Sequence, residues 1–294
     1  MVILKPDLWK KIRRIQIQTT HLANDVLAGT YRSVFKGKGM EFEEVRDYQP
    51  GDDIRAIDWN VTARMNRLYV KNFREERELN VTLVVDISAS TQFGSGQSLK
   101  SDLIAEIAAV LAFSAIKNND KIALVLFSDR VEKYFPPQKG KRHVLRIIRE
   151  LLTYKPQQRS TDISTALSFL GKMQNRPGIC FLISDFICPD YSHEAALAAK
   201  RYDFIPIMIV DSAEKTFQKM DLVTLKDLET GTSCLVDTSA DCTQTTLKKN
   251  TEERLSRQKE IMHKLGTELC VIQSDLPYLQ QLKKYFTLRR KRFQ

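Results

Sequence analysis

The chain has 294 residues, of which 43% are hydrophobic and 28% are charged, and its formal net charge is +10. This composition is sufficient for a sizeable core in one large domain or two, and it excludes an intrinsically disordered chain. No segment reaches the roughly 18 apolar residues of a membrane-spanning helix, and the charged N-terminus does not match a secretory signal. Because the five cysteines include no C-x-x-C pair, we expect reduced thiols in a cytoplasmic protein.

Residues 1–79 are expected to form an N-terminal helix followed by a small β module. Apolar residues fall near helical spacing over residues 7–28, and Gly29 is expected to end that helix. The following residues contain a Pro50-Gly51 turn and stretches that alternate like strands, such as 67–73.

Residues 80–294 alternate between strands and helices. This order predicts an α/β fold with a doubly wound, mostly parallel, Rossmann-like sheet and helices on both faces. An insertion with a β-hairpin (222–228 with 233–237) and a polar helix is expected at about 212–268. The other predicted strands are 81–85, 121–127, 131–135 at an edge, 179–183, 204–210 and 268–272, and the other predicted helices are 99–117, 141–153, 162–174, 192–201 and 276–286.

The first strand of that pattern ends in three oxygen-bearing side chains, Asp86, Ser88 and Ser90. In open parallel sheets, ligands bind at the carboxyl ends of strands near the topological switch. The residues that follow the strand do not match a P-loop, a G-x-G-x-x-G dinucleotide loop or a G-x-S-x-G nucleophile elbow. One carboxylate and two hydroxyls do suit Mg²⁺ (or Mn²⁺), because magnesium takes oxygen ligands.

The missing ligands of such a site are expected at other strand ends. Thr161 lies in a loop before a helix, and Asp185 follows the strand 179–183. Each of these residues taken alone is compatible with a helix cap or a turn. Their occurrence together, in this order on this strand pattern, favours a shared metal site.

This constellation resembles the metal-ion-dependent adhesion site (MIDAS) of the von Willebrand factor type A (vWA) domain. The pattern of that family is D-x-S-x-S, then a threonine, then an aspartate, which reads here as Asp86-Ile-Ser-Ala-Ser90, Thr161 and Asp185. The stretches 120–128 and 160–167 are also similar to such domains. The resemblance implies that the serines and the threonine contact the ion, that the aspartates assist through water, and that an acidic residue of a partner completes the shell.

The N-terminal part resembles the bacterial family called domain of unknown function 58. The residues that carry this resemblance are Arg46-Asp-Tyr-Gln-Pro-Gly-Asp-Asp53 and Ile54-Arg-Ala-Ile-Asp-Trp59, within a similarity that extends over essentially the whole chain. The resemblance implies a MoxR-type AAA+ ATPase partner and a role in maturing, assembling or inserting metal into client proteins. Many relatives carry membrane helices before this region, and this chain lacks them, which favours a soluble version.

The acidic and basic residues of that string allow two interpretations. They are expected either to hold a small structural module together as an ion-pair network or to form a surface on which a partner docks.

The sequence therefore predicts a non-enzymatic adaptor that binds a partner carboxylate through a bound divalent cation. One alternative is a metal-dependent hydrolase that uses the same cation, with Asp162 as the nearby acid to test. Another is a nucleic-acid-binding protein that uses the basic ends, 10–14 and 289–292. Basic ends are usually solvated, so no specific nucleic-acid partner is expected.

Overall fold

The computed structural model describes residues 41–65, 67–74, 79–95, 99–173, 178–216 and 220–292. The helix predicted over residues 7–28 lies outside these residues. The chain divides into two compact units, one formed by residues 32–78 and the other containing all residues from Leu79 onward. The two units are described separately below.

The smaller unit contains a two-stranded antiparallel sheet, β1 (Glu41–Asp47) and β2 (Tyr69–Arg74), and a short helix, α1 (Trp59–Met65). Within it, the guanidinium of Arg46 donates to both carboxylate oxygens of Asp52, at 2.7 and 2.8 Å. This hydrogen bonding lowers the pKa of the Asp52 carboxyl below its ordinary value. One of the ion pairs that the sequence predicts within residues 46–59 is therefore present.

The larger unit is built on a six-stranded sheet with the order β10-β7-β6-β3-β4-β5. All neighbouring strands are parallel except β5, which pairs antiparallel with β4 at one edge. The mostly parallel sheet that the sequence predicts is thus confirmed. The strands are β3 (Asn80–Asp86), β4 (Lys121–Phe127), β5 (Val131–Gln138), β6 (Ile179–Ser184), β7 (Asp203–Val210) and β10 (Cys270–Gln273).

Helices pack on both faces of this sheet. Cys180 and Leu182 of β6 belong to a buried cluster that includes Ile163 and Ala195. The residue between those two, Phe181, points the other way, because successive side chains of a strand alternate, and it makes an edge-on contact with Phe286. The helices of this unit are α2 (Lys100–Lys117), α3 (Lys141–Thr153), α4 (Ile163–Lys172), α5 (Ser192–Arg201), α6 (Asp241–Lys264) and α7 (Tyr278–Arg292).

The predicted insertion consists of a hairpin, β8 (Leu222–Lys226) and β9 (Ser233–Asp237), followed by α6. Among the described residues of the larger unit, the largest difference from the sequence prediction is at the C-terminus, where α7 continues past Phe286 to Arg292. In the smaller unit, α1 was not predicted from the sequence. Ion pairs join this extension to the body of the unit: Arg289 pairs with Asp203, and Arg292 pairs with Glu268 at 2.6 Å. Two members of the basic C-terminal run are therefore engaged within the chain.

None of the described helices combines the length and the apolar composition that a bilayer-spanning segment requires.

Candidate metal centre

Two neighbouring strands, β3 and β6, bring Asp86 and Asp185 to the same edge of the sheet. The chain runs from β3 to β4 on one side and returns to β6 on the other side of β3, so the strand order reverses between them. Asp86 is the last residue of β3, and Asp185 directly follows β6. In open α/β sheets, the crevice at such a reversal is where ligands bind.

Asp86 is buried, with only 1% of its surface exposed. One carboxylate oxygen accepts the backbone N–H of Ser88 at 2.9 Å, and the other accepts the hydroxyl of Ser184 at 2.6 Å. Burial and the negative charge of Asp185 raise the pKa of Asp86 to about 7, although these hydrogen bonds act in the opposite direction. The ionised carboxylate is therefore costly here unless a cation lies beside it.

The two serines of the D-x-S-x-S loop turn their hydroxyls toward each other. Ser88 and Ser90 are both buried, and their Oγ atoms lie 3.0 Å apart. Ser88 begins a short 3₁₀ turn (Ala89–Gln92), yet its side chain makes no capping hydrogen bond to that turn. The interpretation of Ser88 as a simple cap is therefore not supported, and the paired hydroxyls are placed as two adjacent oxygen ligands would be.

The loop that carries Thr161 is tied directly to the D-x-S-x-S loop. The backbone N–H of Ala89 donates to the carbonyl oxygen of Arg159 at 2.9 Å. Thr161 is buried, and its hydroxyl donates to Oε1 of Glu229 at 2.8 Å. The structure thus brings all five predicted ligand residues to one edge of the sheet.

Asp162, and not Thr161, caps helix α4. Its Oδ1 accepts the N–H groups of Ser164 and Thr165 at 2.9 and 3.3 Å, and its Oδ2 accepts the Thr165 hydroxyl at 2.7 Å. The interpretation of Thr161 as a helix cap is therefore wrong. Both oxygens of Asp162 are engaged in the cap, which does not favour Asp162 as the general base of a hydrolase.

A buried lysine lies beside the second aspartate. Nζ of Lys100 donates to Oδ2 of Asp185 at 2.6 Å and to Oε1 of Glu214 at 2.8 Å. Burial acts to lower the pKa of Lys100, but the two carboxylates outweigh it and the pKa is raised, so the ammonium stays charged. Glu214 in turn pairs with Arg254 of α6. The edge of the sheet is therefore linked by charge to the inserted helix.

The donor set fits a hard cation better than a soft one. Among the residues that the structure covers, no three His, Cys, Asp or Glu side chains converge as a metal-chelating group. A cation at this edge would depend on the hydroxyls of Ser88, Ser90 and Thr161 together with Asp86, and Mg²⁺ and Ca²⁺ accept such all-oxygen surroundings. The fit is supported by the burial of the Asp86 carboxylate, which is stabilised in its ionised form by a nearby positive charge. Lys100 does not supply that charge through a hydrogen bond, because its ammonium bonds to Asp185.

Three residues of this region were not predicted from the sequence: Ser184, Lys100 and Glu229. Ser184 precedes Asp185 in Leu182-Ile-Ser-Asp185, so its proximity to the site could have been predicted from the strand pattern. Lys100 begins a helix and Glu229 lies at a hairpin turn, where charged residues are ordinary. Only their tertiary contacts distinguish them.

Comparison with known proteins places the chain in a family. Residues 44–258 match the family described as "Protein of unknown function DUF58", and the chain belongs to it. The match includes both the string around Pro50-Gly51 and the candidate metal centre.

Several relatives and solved structures are similar to this chain. The uncharacterized protein Rv1480 of Mycobacterium tuberculosis is 30% identical over 229 residues, which are 77% of this chain and 72% of that protein. The uncharacterized protein YeaD of Bacillus subtilis is 27% identical over 161 residues, which are 55% of this chain and 38% of that protein. The crystal structure of the conserved hypothetical protein BatB from Bacteroides thetaiotaomicron is 14% identical, with a TM-score of 0.46, and covers 73% of this chain and 98% of that one.

Proposed function

We propose that this chain is a non-enzymatic, metal-dependent adaptor that binds another protein through a carboxylate of that protein. In this proposal the larger unit is a doubly wound, vWA-like domain, and Asp86, Ser88, Ser90, Thr161 and Asp185 form its MIDAS-type site for Mg²⁺ or Mn²⁺. The observation that carries the proposal is the burial of Asp86 beside Asp185 at a strand-order reversal, with two serine hydroxyls 3.0 Å apart next to it.

The balance of charges explains why such a site would favour an acidic partner. Hydroxyl ligands are neutral, and Lys100 already neutralises part of the charge of Asp185. A divalent cation in this setting retains net positive charge and gains a strong, charge-assisted interaction from an added carboxylate. The hydroxyl of Ser184 and the N–H of Ser88 hold the Asp86 carboxylate in one orientation.

The proposed partners are a MoxR-type AAA+ ATPase and a client protein, each engaged through an acidic residue in the cytoplasm. The sequence after β3 has no P-loop, so in this proposal ATP is hydrolysed by the partner and not by this chain. The adaptor role then consists of presenting the client or recruiting the ATPase when the cation is bound.

Thermal unfolding in the presence and absence of Mg²⁺ tests the metal site. The wild-type chain is expected to melt at a higher temperature with Mg²⁺ or Mn²⁺ than with EDTA, because a ligand that binds only the folded state stabilises it by mass action. Asp86→Ala is expected to remove that shift while keeping the circular dichroism spectrum. Ser164→Ala serves as the control, since Ser164 lies at the start of α4, after the loop that carries Thr161, and its hydroxyl donates to the carbonyl oxygen of Asp190 at 3.2 Å. A wild-type melt that is indifferent to both metals would refute the ligand assignment.

Affinity capture from native lysate, with and without EDTA, tests the partner. The proposal expects an AAA+ ATPase or an acidic client that is retained with Mg²⁺, released by EDTA and absent with Asp86→Ala. Proteins retained equally under all three conditions would contradict a metal-dependent contact.

A further inference from the structure

The turn of the inserted hairpin reaches the candidate metal centre. Residues 227–232 join β8 to β9, and the carboxylate of Asp227 accepts the N–H groups of Glu229 and Thr230 at 2.8 and 3.2 Å. Gly231, with φ of +75°, closes the turn by donating its N–H to the carbonyl of Asp227. This internal bonding holds Glu229 at the tip of the turn in a defined orientation.

The carboxylate of Glu229 reaches the loop that carries Thr161. It is partly buried, and its Oε1 lies 2.8 Å from the Oγ of Thr161. Asp185 is close enough to act on it electrostatically. A glutamate therefore faces a threonine hydroxyl and an aspartate at the edge of the sheet. Among the described residues, no cationic side chain donates a hydrogen bond to this glutamate.

We infer that Glu229 is a resident carboxylate ligand of the proposed metal site, occupying the coordination position that a partner carboxylate would take. The inference rests on the proposed function, and it adds to that function a requirement that the partner displace Glu229. The hairpin then acts as a tethered mimic of the partner, and the partner segment is expected to present a carboxylate from a turn of similar size.

Moving the hairpin away from the site is expected to require little free energy. It has only two strands, which by themselves are of marginal stability in water. Leu222 and Leu235, one on each strand, are 64% and 65% exposed. With so little apolar surface buried, the hairpin belongs to the class of elements that open locally without global unfolding.

A cavity beside the turn provides the room for an incoming side chain. Its volume is about 370 Å³, and it is lined by residues of the hairpin, of α6 and of the strand ends, among them Ser90, Lys100, Leu228 and Glu229. A carboxylate that entered along this cavity would meet Glu229 and the Ser90 side of the site together. The cavity also offers Leu228 as an apolar contact for the partner.

The Mn²⁺ affinity of the full chain, measured by electron paramagnetic resonance, tests the inference. Glu229→Ala is expected to weaken Mn²⁺ binding about tenfold or more, and added acetate is expected to restore much of that loss by filling the vacated position. Acetate is expected to have no effect on the wild type. Glu252→Ala, which removes an exposed carboxylate from α6, is the matched control and should behave as the wild type. Glu229→Gln, which keeps the shape of the side chain, should weaken Mn²⁺ binding without any change in the circular dichroism spectrum.

Hydrogen exchange of the hairpin amides gives a second readout. Mn²⁺ is expected to slow exchange over residues 222–237 in the wild type and in Glu252→Ala, but not in Glu229→Gln. If the wild type binds Mn²⁺ and Glu229→Ala binds it equally well, with no acetate effect and no change in exchange, the Glu229 inference is wrong and the metal site stands. If the wild type does not bind Mn²⁺, the proposed function fails and the inference fails with it.

Discussion

Nζ of Lys100 lies 2.6 Å from Oδ2 of Asp185, and both side chains are almost completely withdrawn from solvent, with 1% and 0% of their surfaces exposed. The pair joins the start of α2 to the end of β6 across the strand-order reversal. It fixes the orientation of one predicted metal ligand and sets how much negative charge the site retains.

Lys100→Met is expected to lower the free energy of unfolding by about 3–5 kcal/mol in EDTA, because it leaves the charge of Asp185 buried without its partner. The measurement is urea denaturation followed by circular dichroism. Lys249→Met is the control, since Lys249 pairs with Glu253 at 3.8 Å with both side chains largely exposed. An exposed pair of this kind contributes about 0–1 kcal/mol, so equal losses in the two variants would contradict a structural role for the buried pair.

Ser184→Ala is expected to weaken Mg²⁺ binding about 10–100-fold, because groups that orient a metal ligand commonly contribute that much. The Ser184 hydroxyl donates to Asp86 at 2.6 Å and accepts the N–H of Phe186 at 2.9 Å, so its loss frees the carboxylate to turn. Isothermal titration with Mg²⁺ is the measurement, and Ser192→Ala, whose hydroxyl bonds to the exposed Asp190, is the comparison. An unchanged Mg²⁺ affinity in Ser184→Ala would show that Asp86 does not need this hydrogen bond.

Asp211→Asn is expected to lower stability at neutral pH by about 1–3 kcal/mol, because the amide keeps only one acceptor oxygen and some of the buried hydrogen bonds to Asp211 are lost. Burial raises the pKa of Asp211, but hydrogen bonds from Ser95, from the N–H of Ala213 and from Ser274 outweigh it, and the pKa lies below its ordinary value of 3.8. The contribution of a carboxylate with a lowered pKa is present above pH 3.8 and is lost as the pH falls through the folded-state pKa.

The difference between wild type and Asp211→Asn should therefore shrink in acid, as measured by urea denaturation over a pH series. Asp237→Asn removes an exposed carboxylate and serves as the control. A difference that stays constant down to the lowest pH at which the chain is folded would contradict the assignment.

Gly178→Ala is expected to destabilise the chain by about 1–3 kcal/mol or more, the usual range for overpacking. A Cβ at Gly178 would overlap the carbonyl oxygen of Asn80, which is backbone and cannot rotate away. The clash falls where β6 begins to pair with β3, so it should also disturb the alignment of Asp185 with Asp86. Gly171→Ala is the matched control, because nothing lies within 4 Å of the added carbon. Thermal melts of equal midpoint for the two variants would refute the steric argument.

Local patterns in the sequence were sufficient for most of the secondary structure. The strand 121–127 and the helices 141–153 and 192–201 were predicted with the bounds that the structure shows. Continuous apolar runs and helical spacing report on burial directly, and burial is what fixes these elements. The end of α7 was missed because a run of basic residues has no apolar period, and its helical form depends on ion pairs with Asp203 and Glu268.

The order of the strands and helices, the position of Asp86 at a strand end, and the spacing of Ser88 and Ser90 after it could all be predicted from the amino-acid sequence. Those features are set by residues close together in the chain. By contrast, the contacts of Lys100 with Asp185, of Ser184 with Asp86, and of Glu229 with Thr161 became visible only in the folded chain. These partners are separated by 68 to 98 residues, and a charged or hydroxyl side chain carries no periodic signal that would indicate which distant group it meets.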